Sequence, residues 1–261
     1  MNRRGPIPAQ LRVLLVQIGY ACFISAASRA MRDAAFLYPW EPSVSTLVVA
    51  LVNVVFIGSL LGFSTLCLKR GLQRVPAGLR TAGFALLAAG CALAGIPALW
   101  PAASVTCGCA SAAACGAGGA LGFFGWIQVL QREGEDARYN LIAGSLFAAV
   151  VGLALANPAF QLLLPWICVV LTVLSYVCLR AVDGDAEGGE FRSPAPAVGD
   201  EPVGVRDILV SVGRPALCVG ALGMMSMVSR YLVVERTVDL AVITSTLGDI
   251  IPCLILLLLF A

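Results

Sequence analysis

Apolar residues in this chain arrive in runs of about 20, the length at which a helix crosses a hydrocarbon core of roughly 30 Å. Eight such runs can be drawn, at 10–28, 44–68, 80–99, 104–128, 139–158, 161–179, 208–228 and 240–261. Inside a bilayer no water serves the backbone N–H and C=O groups, so each run must close its own hydrogen bonds as a helix. The pattern predicts an all-α membrane protein, a polytopic bundle of about 8 transmembrane helices. Composition removes the soluble alternative: 59% of residues are hydrophobic and 12% charged, where a soluble domain has about 45–50% and 25%. The first run follows "MNRR" and contains "SAAS", which resembles a signal peptide with a small-residue cleavage site. Seven runs follow it, so a retained first helix is the more economical reading.

Lys and Arg set orientation, because they are enriched in cytoplasmic loops. With the N-terminus inside and the runs alternating, 13 of the 17 basic residues fall inside; only Arg29, Arg32, Arg230 and Arg236 fall outside. The expected location is the inner (cytoplasmic) membrane, with both ends of the chain in the cytoplasm. One connection stands apart: "RAVDGDAEGGEFRSPAPAVGDEPVGVRD", residues 180–207, carries seven acids, Asp183 among them, against three Arg. It has too little apolar surface to fold alone and is expected as a flexible acidic linker. It separates a six-helix membrane half (1–179) from the first two helices of a second half (208–261), a 6 + 2 layout. The final run, "LAVITSTLGDIIPCLILLLLFA", reaches Ala261 with no Lys or Arg to anchor it. Ala261 therefore reads as a truncation point.

The residue inventory excludes several chemistries. Histidine is absent, which removes the usual neutral metal ligand. The ten cysteines lie in or beside apolar runs and form no CxxC pair, whereas a structural metal site wants paired spacings. No Walker loop, nucleophile elbow or HExxH motif occurs. The chain is expected to be no enzyme and to hold no cofactor or metal. The longest polar stretch is the linker, so no direct contact with nucleic acid is expected either.

Polar residues at membrane depth are few: Asn53, Gln128 and Asp249. A carboxylate there costs a few kcal/mol on insertion scales and faces the bundle interior or a wet cavity. Asp249 is thus a candidate ligand or proton site, with Pro252 nearby to open a kink. The segment 28–42 holds Arg29, Arg32, Asp33, Tyr38 and Trp40, expected as an interfacial anchor. Arg230, Glu235 and Arg236 fall on the same side. Small residues at four-residue spacing (Ala114, Gly118, Gly122; Gly144, Ala148, Gly152, Ala156) mark close helix packing.

Six spans, an acidic loop and further spans resemble the layout of the major facilitator superfamily. Its marker loop, G-x-x-x-D-R-x-G-R-R, is matched by "GFSTLCLKRGLQRVP" in Lys69, Arg70 and Arg74. The loop acid is missing, since no acid occurs between Glu41 and Glu133; that weighs against active transport. A narrower resemblance is to bacterial LuxR-type regulators with a facilitator-like N-terminal region. It rests on "IGYACFISAASRAMRDAAFLYP", on "GAGGALGFFGWIQVLQREGEDARYNLIAGSLFAAVVGLAL" and on "GRPALCVGALGMMSMVSRYL". Near Trp126 that family often has Trp-Gly-Glu, where this chain has Trp-Ile-Gln. The resemblance implies a membrane sensor region binding a small molecule between helix halves, with Asp249, Asn53 and Arg230 as lining residues. It also implies a DNA-binding domain beyond this chain, helix partners from a missing C-terminal part, and the lipid bilayer as surroundings. The alternative is a facilitator-like transporter, complete or truncated.

Overall fold

A computed structural model of the protein describes residues 8–32, 42–70, 76–99, 104–132, 136–155, 160 and 163–186. The chain divides into two units, Met1–Asp185 and Ala186–Ala261, and all but the last of these residues belong to the first. Among them there are six helices and no strand: α1 Ala9–Arg32, α2 Pro42–Arg70, α3 Ala77–Leu99, α4 Ser104–Arg132, α5 Ala137–Leu155 and α6 Leu164–Ala186. They coincide with the first six apolar runs. Four contain a stretch long and apolar enough to cross a membrane: Ala9–Ala30, Ala77–Ile96, Val105–Leu130 and Leu164–Asp183. The apolar stretches of α2 and α5, Ala50–Leu66 and Tyr139–Gly152, are shorter. The runs at 208–228 and 240–261 lie outside the described residues, so the expected count of about eight becomes six described helices, four of membrane length.

Proline sets four of the six starts. Pro8 and Pro76 sit immediately before α1 and α3, while Pro42 opens α2 and Pro165 is the second residue of α6. A first-turn proline loses nothing, because that turn's N–H groups have no intrahelical partner and its φ is already helical. The Pro8 carbonyl accepts from the Arg12 N–H at 3.0 Å, and that of Pro76 accepts from Leu79 and Arg80 at 3.0 and 3.2 Å.

The end of α6 differs from expectation. Its last apolar run stops at Leu179, yet the helix continues to Ala186, so the first residues of the stretch read as linker are helical. Residues 187–207 lie outside the described set. The cause is an inward stripe at helical spacing: Cys178, Leu179, Val182 and Asp183 are all buried. Asp183 is a core-facing residue, not a solvated linker acid.

Helix α4 is the centre of the bundle, packing closely on α1, α2 and α3 and touching α5. Its small residues make this possible. A Cβ on Gly118 would come within 2.7 Å of the Gly83 carbonyl on α3, and one on Gly116 within 2.7 Å of the Val52 carbonyl on α2. One on Gly122 would meet the Phe23 ring of α1 at 2.6 Å. Close backbone approach is how helices associate in lipid, where burial of apolar surface gives no advantage. The small stripe expected on this helix therefore serves two neighbours, Gly118 facing α3 and Gly122 facing α1.

Helix α6 is held by side chains instead. Trp126 of α4, fully buried, donates its indole N–H to Ser175 Oγ at 2.9 Å. Tyr20 stands edge-on to Trp126 at 6.1 Å, and Phe23, Phe84 and Tyr176 follow one another at 5.8 and 5.5 Å. This aromatic cluster joins α1, α3, α4 and α6 into one core.

Candidate functional site

Two polar assemblies stand out because both lie among apolar helices. The first joins α1 to α5. Gln17 Nε2 donates to Asn140 Oδ1 at 3.0 Å, Ser25 Oγ donates to the Ala148 carbonyl at 3.4 Å, and Arg29 donates to the Gly152 carbonyl. All three pairs are 123 residues apart, so the helices run parallel and in register. A constant offset over three turns is possible only because α5 carries Gly144, Ala148 and Gly152 on the contact face. A Cβ at Gly144 would fall 2.9 Å from the Tyr20 ring and 3.2 Å from the Gln17 carbonyl. Arg29, expected as an interfacial anchor, instead reaches back to a helix carbonyl.

The second assembly closes one end of the bundle. Asp183, in the last turn of α6, bonds Arg132 of α4 through Oδ1 at 2.6 Å and Arg80 of α3 through Oδ2 at 2.5 Å. The three side chains are 8%, 17% and 10% exposed. Local electrostatics oppose two of these placements. An acid in a last turn and an Arg in a first turn each meet the like-signed end of the helix dipole. Their mutual bond supplies what the local positions lack, and Arg132 in the last turn of α4 is favoured on both counts. The stem of Arg80 lies over Gly125, its Cδ and Cγ about where a methyl there would touch them, at 3.5 and 3.6 Å.

Three buried polar atoms have no hydrogen-bond partner among the described residues: Arg80 Nη1, Gln128 Oε1 and Asn140 Nδ2. One belongs to each of the two assemblies. Gln128 lies one helical turn beyond Phe124, which packs on Phe63 of α2.

Of the residues expected to line a site, only Asn53 is described. It is half-buried on α2, next to the buried Val52, and belongs to neither assembly. Asp249 and Arg230 lie outside the described residues. No family model matches the chain, and neither the curated proteins nor the solved structures hold a match. The functional reading rests on this geometry and on the sequence.

In the sequence alone Arg80 and Arg132 are loop charges and Asp183 a linker acid, and nothing there singles out Gln17 or Asn140. A signal for the first three was present: Asp183 continues the apolar stripe of α6 at the right spacing, and it and Arg80 each stand at an end of a helix that disfavours their charge.

Proposed function

We propose that the chain is the membrane sensor region of a LuxR-type transcription regulator, binding a small molecule between helix halves. In this reading the described bundle is the first half of a facilitator-like 6 + 2 arrangement of about eight spans in the inner membrane. Both termini are cytoplasmic, and the Arg80–Asp183–Arg132 end faces the cytoplasm, in keeping with the distribution of Lys and Arg. In this reading Asp249, Asn53 and Arg230 are the residues proposed to contact the small molecule. The chain itself touches no nucleic acid and catalyses no reaction; the DNA-binding domain and further helices belong to a part beyond it.

The observation that carries the reading is the clamp on Asp183. It ties the last turn of α6 to two other helices. A ligand that favours one helix arrangement over another shifts the equilibrium by its difference in affinity, and the clamp delivers that difference to whatever follows α6. The test is the reading frame downstream of the Ala261 codon. A frame running on through four spans into a helix-turn-helix is expected, and a stop codon directly after Ala261 overturns the regulator reading.

The same clamp favours a second reading, a facilitator-like transporter, since ion pairs joining three helix ends can hold one side of a bundle shut. Substrate-dependent flux in proteoliposomes, lost in Asp249→Asn, would decide for it.

A further inference from the structure

Three apolar spans end at one polar cluster. The membrane-length stretch of α3 begins at Ala77, that of α4 ends at Leu130, and that of α6 ends at Asp183. Arg80, Arg132 and Asp183 thus meet at the ends of these stretches, the level at which a span of this length would give way to lipid headgroups. Among the described residues of the cluster, charge does not cancel. Two guanidiniums share one carboxylate, which leaves one positive charge over, and the N-terminal end of α3 adds to the same sign. Hydrogen bonding does not close either. Both Asp183 oxygens are engaged, one by each Arg, while Arg80 Nη1 has no partner among the described residues although its side chain is only 10% exposed. An unmatched donor on a buried cation is among the costlier arrangements in a protein.

We propose that this cluster is a binding site for a phosphate-class oxyanion, supplied by a lipid headgroup or by free phosphate. One phosphate oxygen accepts from Arg80 Nη1 and another from the open edge of Arg132, the more exposed of the two at 17%. The bound group balances the surplus charge that Asp183 leaves. Phosphate suits the place better than a carboxylate does. It is the anion concentrated at headgroup depth, basic pockets between spans bind phospholipid headgroups, and paired guanidinium forks match its oxygens. The stem of Arg80 lies over Gly125, its Cδ and Cγ 3.5 and 3.6 Å from where a methyl there would stand. The inference rests on the membrane placement of these spans and not on the sensor reading.

The experiment uses the full chain in alkyl maltoside micelles, which carry no phosphate, and follows the unfolding midpoint. One arm titrates inorganic phosphate against chloride at matched ionic strength. The other dopes the micelles with phosphatidylglycerol against an uncharged diacylglycerol of the same chains. Either addition should raise the midpoint, as any ligand specific to the native state does. A rise with free phosphate assigns a soluble anion, and a rise with phosphatidylglycerol alone assigns a lipid. Apparent affinity should fall about tenfold or more in Arg132→Gln, the loss of one charge-assisted contact. It should grow in Asp183→Asn, which removes the internal anion; a purely structural cluster would show no such gain. A wild-type midpoint indifferent to both additions overturns the proposal. So does a response unchanged in Arg132→Gln, or in Arg132→Lys should the Gln variant fail to fold.

Discussion

Replacing Asp183 by Ala tests whether the end of α6 is part of the bundle. The substitution leaves two guanidiniums facing each other, one 10% and one 17% exposed. Removing one partner of a buried pair costs about 3–5 kcal/mol, because the other charge stays desolvated. Arg132 lies in the last turn of α4 and can extend its head toward water along its flexible stem, which lowers the cost. Arg80 is less able to do so, its Cγ and Cδ being packed over Gly125. The expected loss is therefore near the lower end, about 3 kcal/mol. Asp183→Asn keeps an acceptor oxygen and loses the charge, for about 1–2 kcal/mol. Reversible unfolding in mixed maltoside and dodecyl sulfate micelles measures both, with the emission of the buried Trp126 contributing to the signal. Adding Arg80→Gln to Asp183→Ala should recover part of the loss, since it removes the unpaired buried charge, and a double-mutant cycle reads that directly. An Asp183→Ala variant within about 0.5 kcal/mol of wild type, as for an ordinary surface position, would refute the clamp and return Asp183 to a solvated linker.

Two further contrasts use the same assay. Gly90→Ala places a Cβ 2.5 Å from Cys115 Sγ and 2.8 Å from the Cys115 nitrogen, and should destabilise by about 1–3 kcal/mol through overpacking. Gly58→Ala meets nothing within 4 Å and should be neutral or stabilising by about 0.5–1 kcal/mol; equal effects would contradict the α3–α4 approach. Gln17→Leu leaves Asn140 Oδ1 unpaired beside an Nδ2 that already lacks a partner, for a loss of about 1–3 kcal/mol. Adding Asn140→Leu should recover part of it, and a strictly additive pair would show that the seam is not a hydrogen-bonded contact.

How much of this was legible follows from the range of the forces involved. The six described helices could be read because lipid solvation acts on each run alone. The end of α6 is harder to read, because its acid content points to a linker while the spacing of Val182 and Asp183 completes the stripe begun by Cys178 and Leu179. The charges on Arg80 and Asp183 were visible, and so was their mismatch with the helix dipoles. Such local violations flag tertiary pairing, but which acid meets which base depends on the arrangement of helices. The Gln17–Asn140 pair was further from reach: each residue is a lone polar side chain in an apolar helix, and only the bundle joins them across 123 positions.

That separation has a consequence for biosynthesis. Helix α1 leaves the ribosome before the other described helices, yet Gln17 and Ser25 bond to a helix that follows three of them. At about 5–20 residues per second, an interval of 123 residues lasts roughly 6–25 s. Through that time the first helix must be sheltered at the insertion machinery, or hold its amide and hydroxyl against its own backbone or water. The α3–α4 hairpin, with its contacts close in sequence, can already be packed when α5 arrives. Helix α1 can pack on α4 before then, but its polar seam closes only once α5 is in place.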